Sequence, residues 1–127
     1  MDQKLRKPER LKREKQIEQL IRQGQGFLLF PFRVIWMKEQ TQSPYPVQVA
    51  FSVPKRRIRK AHDRNRVRRR TREAYRLHKN ILYEPLLLHQ HSIIMMLVYV
   101  SDQVLDYDSI SKGIGMILKR VGRLANE

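Results

Sequence analysis

The chain has 127 residues, room for one small domain, and 41% of them are hydrophobic, too many for a wholly disordered chain. Its 27 Lys and Arg against 12 Asp and Glu leave a formal charge of +15, a surface that repels itself and attracts polyanions. No cysteine is present, which excludes disulfide frameworks, thiol nucleophiles and cysteine-based zinc sites.

The opening, MDQKLRKPERLKREK, is basic and lacks the apolar stretch of a signal peptide. Residues 1–10 are expected as a basic N-terminal arm, since Pro8 and dense like charge disfavour an early helix, and residues 11–127 as a single α/β domain. Leu11, Ile17, Leu20 and Ile21 predict a short amphipathic helix from about Lys12 to Arg22, stopped by Gly24 and Gly26. Phe27 to Lys38, FLLFPFRVIWMK, reads as a strand with Phe32, Val34 and Trp36 in alternation. Pro31 marks its first half as loop or sheet edge, and a fourth strand has room between Phe27 and Pro46. Glu39 to Pro46, with two prolines, reads as a turn or hairpin connection. Val47 to Val53 is the next strand, with Val47, Val49, Phe51 and Val53 on one face, expected to pair antiparallel with the strand before it.

Twelve cations then fall between Lys55 and Arg76, opposed only by Asp63 and Glu73, and Asp63 to Lys79 has helix-forming composition without Gly or Pro. Ile93 to Val100 is an unbroken apolar run of eight, the length of a buried strand and far short of the ~20 residues that span a bilayer. A soluble, cytoplasmic protein is therefore expected. Ile110, Ile114, Ile117, Leu118, Val121 and Leu124 recur at helical spacing, predicting a closing helix capped near Asp108 or Ser109. Gly113, Gly115 and Gly122 lower its propensity, so packing must hold it. The order helix, strand, strand, helix, strand, helix fits the α+β class, a two-layer α/β sandwich with three to four strands and about three helices.

The basic helix carries the chemistry. Projected at 100° per residue, Val67, Thr71, Ala74 and His78 form one stripe, and Asn65, Arg69, Arg72 and Arg76 align on the opposite side with Arg68 and Arg66 flanking. Like charges at this spacing destabilise a helix, and alternating Lys and Glu would solvate it with less repulsion. Arginine's planar fork pairs with phosphate oxygens, and Asn65 offers a donor and an acceptor to a base edge or sugar hydroxyl. A polynucleotide surface is the reading. Strands on both sides of this helix argue against a DNA-reading helix-turn-helix or zipper, and irregular or single-stranded RNA fits better.

Residues 60 to 76 read KAHDRNRVRRRTREAYR. This resembles the signature of the bacterial ribonuclease P protein component family, an arginine–asparagine–arginine motif opening a helix and followed by a basic cluster. Arg64, Asn65 and Arg66 match the motif core, and Arg68, Arg69, Arg72, Glu73, Ala74, Tyr75 and Arg76 match its continuation. Upstream, Phe51–Ser52–Val53, Lys55–Arg56, the Arg10–Arg13 opening and Phe32 are similar to the family's pattern. Departures are Pro54 in place of serine, Ala50 in place of glycine, a longer basic loop at 57–60, and His62 in place of an apolar residue. Ile17 and Ile21 also stand where phenylalanines are frequent, and Ile35 where a tyrosine can occur.

The resemblance implies a ribosomal protein S5 domain 2-like fold. It implies an accessory subunit of an endoribonuclease whose RNA is the catalyst, with no catalytic residue in this chain. Lys55, Arg56, Arg64, Asn65, Arg66, Arg68, Arg69, Arg72 and Arg76 would contact the catalytic RNA. Phe32, Val34, Phe51 and Tyr75 would line a cleft for the 5′ leader of precursor transfer RNA, and Mg²⁺ would be held mainly by the RNA partner and substrate. No membrane or DNA partner is expected. The alternative is a structural or ribosomal RNA-binding protein without a role in cleavage.

Other residues read more plainly. His89 and His91 lack a third ligand nearby and are expected as loop. Asp102, Asp106 and Asp108 are expected to supply a turn and a helix cap, and Trp36 suits either core or cleft.

Overall fold

A computed structural model describes residues 4–40 and 43–127; the first three residues of the expected arm, and Thr41 and Gln42 of the expected connection, lie outside the described residues. The described elements are a 3₁₀ turn Lys7–Glu9, α1 Glu14–Gln23, β1 Gln25–Leu29, β2 Phe32–Lys38, β3 Val47–Ser52, α2 Ala61–His78, α3 Asn80–Leu88, β4 Ile93–Tyr99 and α4 Tyr107–Ala125. The sheet order is β1-β2-β4-β3.

The room for a fourth strand and the edge that Pro31 marks are both realised: Phe27 to Lys38 divides at Pro31, in the turn of an antiparallel β1–β2 hairpin, and β1 is an edge. The expected pairing of β2 with β3 does not form. β4 lies between them, antiparallel to β2 with Val34 opposite Leu97, and parallel to β3 with Val49 opposite Met95. The reason is in the side chains. β4, IIMMLVY, is apolar on both faces and needs the central position, whereas β2 and β3 alternate. The parallel β3–β4 pair requires a long crossover, supplied by α2 and α3.

One sheet face carries Phe32, Val34 and Trp36 of β2, Val47 and Val49 of β3, and Ile93, Met95, Leu97 and Tyr99 of β4. These pack under α2, α3 and α4 in the main core. The opposite face carries Ile35, Met37, Ala50, Ile94 and Met96 and meets Leu11, Ile17 and Leu20, so α1 stands across from the other helices. α1 docks closely: a Cβ on Gly24 would fall 2.8 Å from Ile35 Cγ2. Met96, Ile35 and Ala50 stay partly exposed beside it.

α3 was not expected, because Glu84 and Pro85 interrupt the apolar pattern; it forms by burying Leu82, Tyr83 and Leu86. α4 is capped two to three residues before the expected Asp108 or Ser109. Its cap is Asp106, whose carboxylate accepts the Ser109 N–H at 2.8 Å and is held below the usual carboxylate pKa by that bond. Packing does hold the glycine-bearing helix: a Cβ on Gly113 would meet Pro31 Cδ at 2.8 Å, and one on Gly122 would touch Pro85 of α3. From Lys4 the expected arm runs against the body, with Glu9 buried and Arg10 bridged in parallel to Val49. No helix among the described residues is long and apolar enough to cross a membrane.

Candidate nucleic-acid interface

α2 presents the two stripes that its sequence predicts. Val67, Thr71, Ala74 and Tyr75 are buried, with Thr71 Oγ1 donating to the Val67 carbonyl at 2.8 Å, and half-buried His78 meets Ser111 Oγ at 2.9 Å. Asn65, Arg66, Arg69 and Arg72 are exposed on the other side.

The cations fall into two groups. Arg64 donates to the carbonyls of Ile58 and Arg59 at 3.1 and 2.7 Å, tying the basic loop to the first turn of α2. Arg70 donates to the Leu105 carbonyl at 2.6 Å and so holds the segment leading into α4. Arg57 pairs with Asp102 at 3.3 Å. The heads of Arg64 and Arg70 are committed to the fold, whereas the Arg57 pair, with Asp102 exposed, is a surface contact. Arg68 donates to Asn65 Oδ1 at 3.0 Å, and Arg66 stands 3.6 Å from Asp63, both at the surface where competing ligands exchange such contacts easily. Arg76 grips Glu73 at 2.6 and 3.1 Å; that hydrogen bond lowers the Glu73 pKa and raises that of Arg76. Arg69, Arg72, Lys55 and Arg56 have no side-chain partner among the described residues.

A groove of about 750 Å³ runs along this face. Arg66, Arg69, Arg70, Arg72 and Arg76 supply the α2 side, Lys4, Leu5 and Arg10 come from the N-terminal segment, and Tyr107 adds an aromatic surface. Glu73 is the one acid among the described residues that line it. Of the seven cations around one carboxylate, Arg70 is tied to the Leu105 carbonyl; the other six, open to solvent, make a seat for a chain of phosphates, with Leu5 and Tyr107 as apolar contact for sugar or base. Beside it a second groove of about 340 Å³ is lined by Arg10, Lys12, Arg13 and the amide or hydroxyl side chains of Gln16, Gln40, Ser43 and Gln48.

The expected leader cleft does not stand as drawn. Phe32, Val34 and Tyr75 are buried in the main core and present no surface to a ligand. Phe51 is half-buried and meets Tyr75 edge-on with centroids 5.5 Å apart. The strand period explains it: if Phe32, Val34 and Trp36 face the helices, their odd-numbered neighbours face outward. On the outward face β2, β4 and β3 carry the paired rows Arg33–Val98–Ser52 and Ile35–Met96–Ala50. Of these residues the sequence reading had singled out Ile35, Ala50 and Ser52 as matches or departures from a pattern, and missed Arg33, Val98 and Met96. The same alternation that identified the core would have found them.

Trp36 belongs to the core, its ring N–H without a partner among the described residues. His89 closes α3, and His91 meets Asn126 at 2.7 Å. Among the described residues no three His, Asp or Glu side chains gather in a metal-holding group.

Comparison with known proteins places this geometry. A family model described as Ribonuclease P matches residues 5–122. A ribonuclease P protein component from Porphyromonas gingivalis is 32% identical over 117 residues, covering 92% of this chain and 85% of its own. One from Chlorobaculum tepidum is 40% identical over 78 residues, 58% of this chain and 50% of its own. In fold, the ribonuclease P protein of Thermotoga maritima superposes with a TM-score of 0.71 at 18% identity, covering 88% of this chain and 96% of that one. The Staphylococcus aureus protein gives 0.69 at 17% identity, covering 89% and 94%.

Proposed function

We infer function from kinship and surface together: the chain belongs to the ribonuclease P protein family, and it is read as the protein subunit of that transfer-RNA-processing ribonucleoprotein. In this reading the α2 groove binds the catalytic RNA. The carrying observation is the six cations besides the fold-bound Arg70 against one acid, with Arg69 and Arg72 unpartnered among the described residues. Neutralising phosphates releases condensed counterions, so affinity comes mainly from this surface and falls steeply with salt.

The 5′ leader of precursor transfer RNA is assigned to the open sheet face beside α1. Arg33 offers a phosphate partner there, and Ile35 and Met96 an apolar floor. With no aromatic ring in those two rows, contact is by shape and apolar packing more than by base stacking. Cleavage is hydrolysis of a phosphodiester, with the RNA as catalyst and Mg²⁺ held by RNA and substrate supplying charge stabilisation at the developing oxygens. The contribution of this chain is to hold both RNAs in register and to lower the repulsion between them.

The test is cleavage of a 5′-extended precursor transfer RNA at low millimolar Mg²⁺ by the protein, by its ribonuclease P RNA, and by both. Cleavage at the mature 5′ end that is far faster with both supports the reading. No stimulation by a folded, RNA-bound protein overturns it and leaves a structural RNA-binding protein.

A further inference from the structure

The α2 groove has two sides, and the second is held by a device that α2 does not contain. Lys79, between α2 and α3, and Glu9, ending the 3₁₀ turn, are 1% and 0% exposed, a state that Lys and Glu reach almost only as pairs. Lys79 Nζ donates to Glu9 Oε1 at 2.7 Å and to the Lys4 carbonyl at 2.6 Å. Tyr83 OH donates to the same carboxylate oxygen at 2.8 Å, and the Arg6 backbone N–H donates to Oε2 at 2.6 Å. Tyr75 OH lies 3.1 Å from Tyr83 OH, and the ammonium stands 5.3 Å from the Tyr83 ring centroid. Burial raises the pKa of both phenols, so they remain donors.

A buried ion pair of this kind is weak support for stability, because apolar residues of similar volume often serve as well. What the pair specifies is place. It fastens the start of the chain to the α2–α3 corner, and the same segment then pairs along the free edge of β3, where the Leu11 N–H donates to the Val49 carbonyl at 2.9 Å. Between these two anchors Lys4 and Arg10 reach the α2 groove, and Arg10 also lines the second groove with Lys12 and Arg13.

We propose that Glu9 and Lys79 are positioning residues that latch the N-terminal segment in place as the second wall of the RNA groove, so that Lys4 and Arg10 grip the strand opposite Arg69 and Arg72. Arg10, common to both grooves, then carries the RNA path around the β3 edge. The proposal rests on the reading of α2 as an RNA surface.

The test uses full-length chains, ribonuclease P RNA as the probe, and binding measured across a salt series. Lys4→Ala/Arg10→Ala removes two wall cations and leaves the latch. It is expected to weaken binding roughly thirtyfold near 0.15 M salt and to make the slope of log affinity against log salt shallower by about 1.5. Glu9→Gln/Lys79→Met removes the latch at constant net charge and keeps both wall cations. It is expected to give a similar loss and slope, with amide protection lost at residues 4–10 and kept in the sheet. The combined variant is expected to bind no worse than either pair alone. A merely structural pair would lower affinity through the folded fraction and leave the slope unchanged. An unchanged slope in the latch variant, or additive losses in the combined one, overturns the proposal. Should the latch variant not fold, Glu9→Asp, which retracts the carboxylate and keeps both charges, takes its place under the same criteria. Arg69→Ala/Arg72→Ala separates the two claims: full affinity there overturns the RNA reading of α2, whereas loss there with none in Lys4→Ala/Arg10→Ala overturns the latch alone.

Discussion

Arg72 and Lys79 are seven residues apart in the chain, yet they use their charge in opposite ways. Arg72, with Arg69, stands exposed with no partner among the described residues, while Lys79 is buried and spends its donors on Glu9 and the Lys4 carbonyl. The same formal charge therefore serves a ligand in one place and the fold in the other. What separates them is whether the head's hydrogen bonds are already made inside the chain. By that measure Arg64 and Arg70, both in the basic helix, side with Lys79, since their guanidinium groups hold the carbonyls of Ile58, Arg59 and Leu105.

Truncating the buried cation should give the largest effect. Lys79→Ala leaves the Glu9 carboxylate buried without its counter-charge, and a loss of about 3–5 kcal/mol in unfolding free energy is expected from urea titration. A loss near zero would mean that Lys79 is no different from the surface cations. The opposite behaviour is expected of Arg69→Ala/Arg72→Ala: roughly thirtyfold weaker RNA binding near 0.15 M salt, with stability unchanged to within about 0.5 kcal/mol. Arg64→Ala and Arg70→Ala sharpen the division, because each lies on the basic helix yet should cost about 1–2 kcal/mol of stability while leaving the salt slope of binding unchanged. A shallower slope in either would return that arginine to the RNA-binding group.

The smallest effect concerns Glu73, whose pKa is lowered by its hydrogen bond from Arg76. A carboxylate with a lowered folded pKa contributes stability that is fully present above its ordinary value of 4.5 and is lost as pH falls through the lowered one. Above pH 4.5 it therefore stays charged and keeps Arg76 partly neutralised. Glu73→Gln is expected to raise RNA affinity at neutral pH, by roughly fivefold at most, with the gap to the unaltered chain closing in binding assays below that range.

How much of this was legible in the sequence depends on the distance between partners. The stripe of Asn65, Arg69, Arg72 and Arg76 follows from helical geometry alone, and the structure keeps the predicted stripes of α2. Which arginines are spent internally does not follow, because their acceptors are carbonyls as remote as Leu105. Glu9 looks like one solvated acid in a basic run until Lys79, 70 residues later, is seen beside it. The apolar run Ile93 to Val100 was readable as a strand, but local pattern says nothing of neighbours, so its insertion between β2 and β3 was not. α3 was hidden by Pro85, and only packing against α4 shows why the segment folds as it does. Phe32, Val34 and Tyr75 show the opposite error: aromatic and branched residues were assigned to a ligand although the strand period sends Phe32 and Val34 to the core and the buried stripe of α2 takes Tyr75 there.

The account stands on the claim that the α2 cations whose heads are free or paired only at the surface bind RNA, and that those tied to backbone carbonyls do not. Its most direct test is the salt dependence of ribonuclease P RNA binding by the full chain, by Arg69→Ala/Arg72→Ala, and by Arg64→Ala. The account predicts a slope shallower by about 1.5 for the first variant and an unchanged slope for the second. Equal slopes in all three, or a change confined to Arg64→Ala, would contradict it.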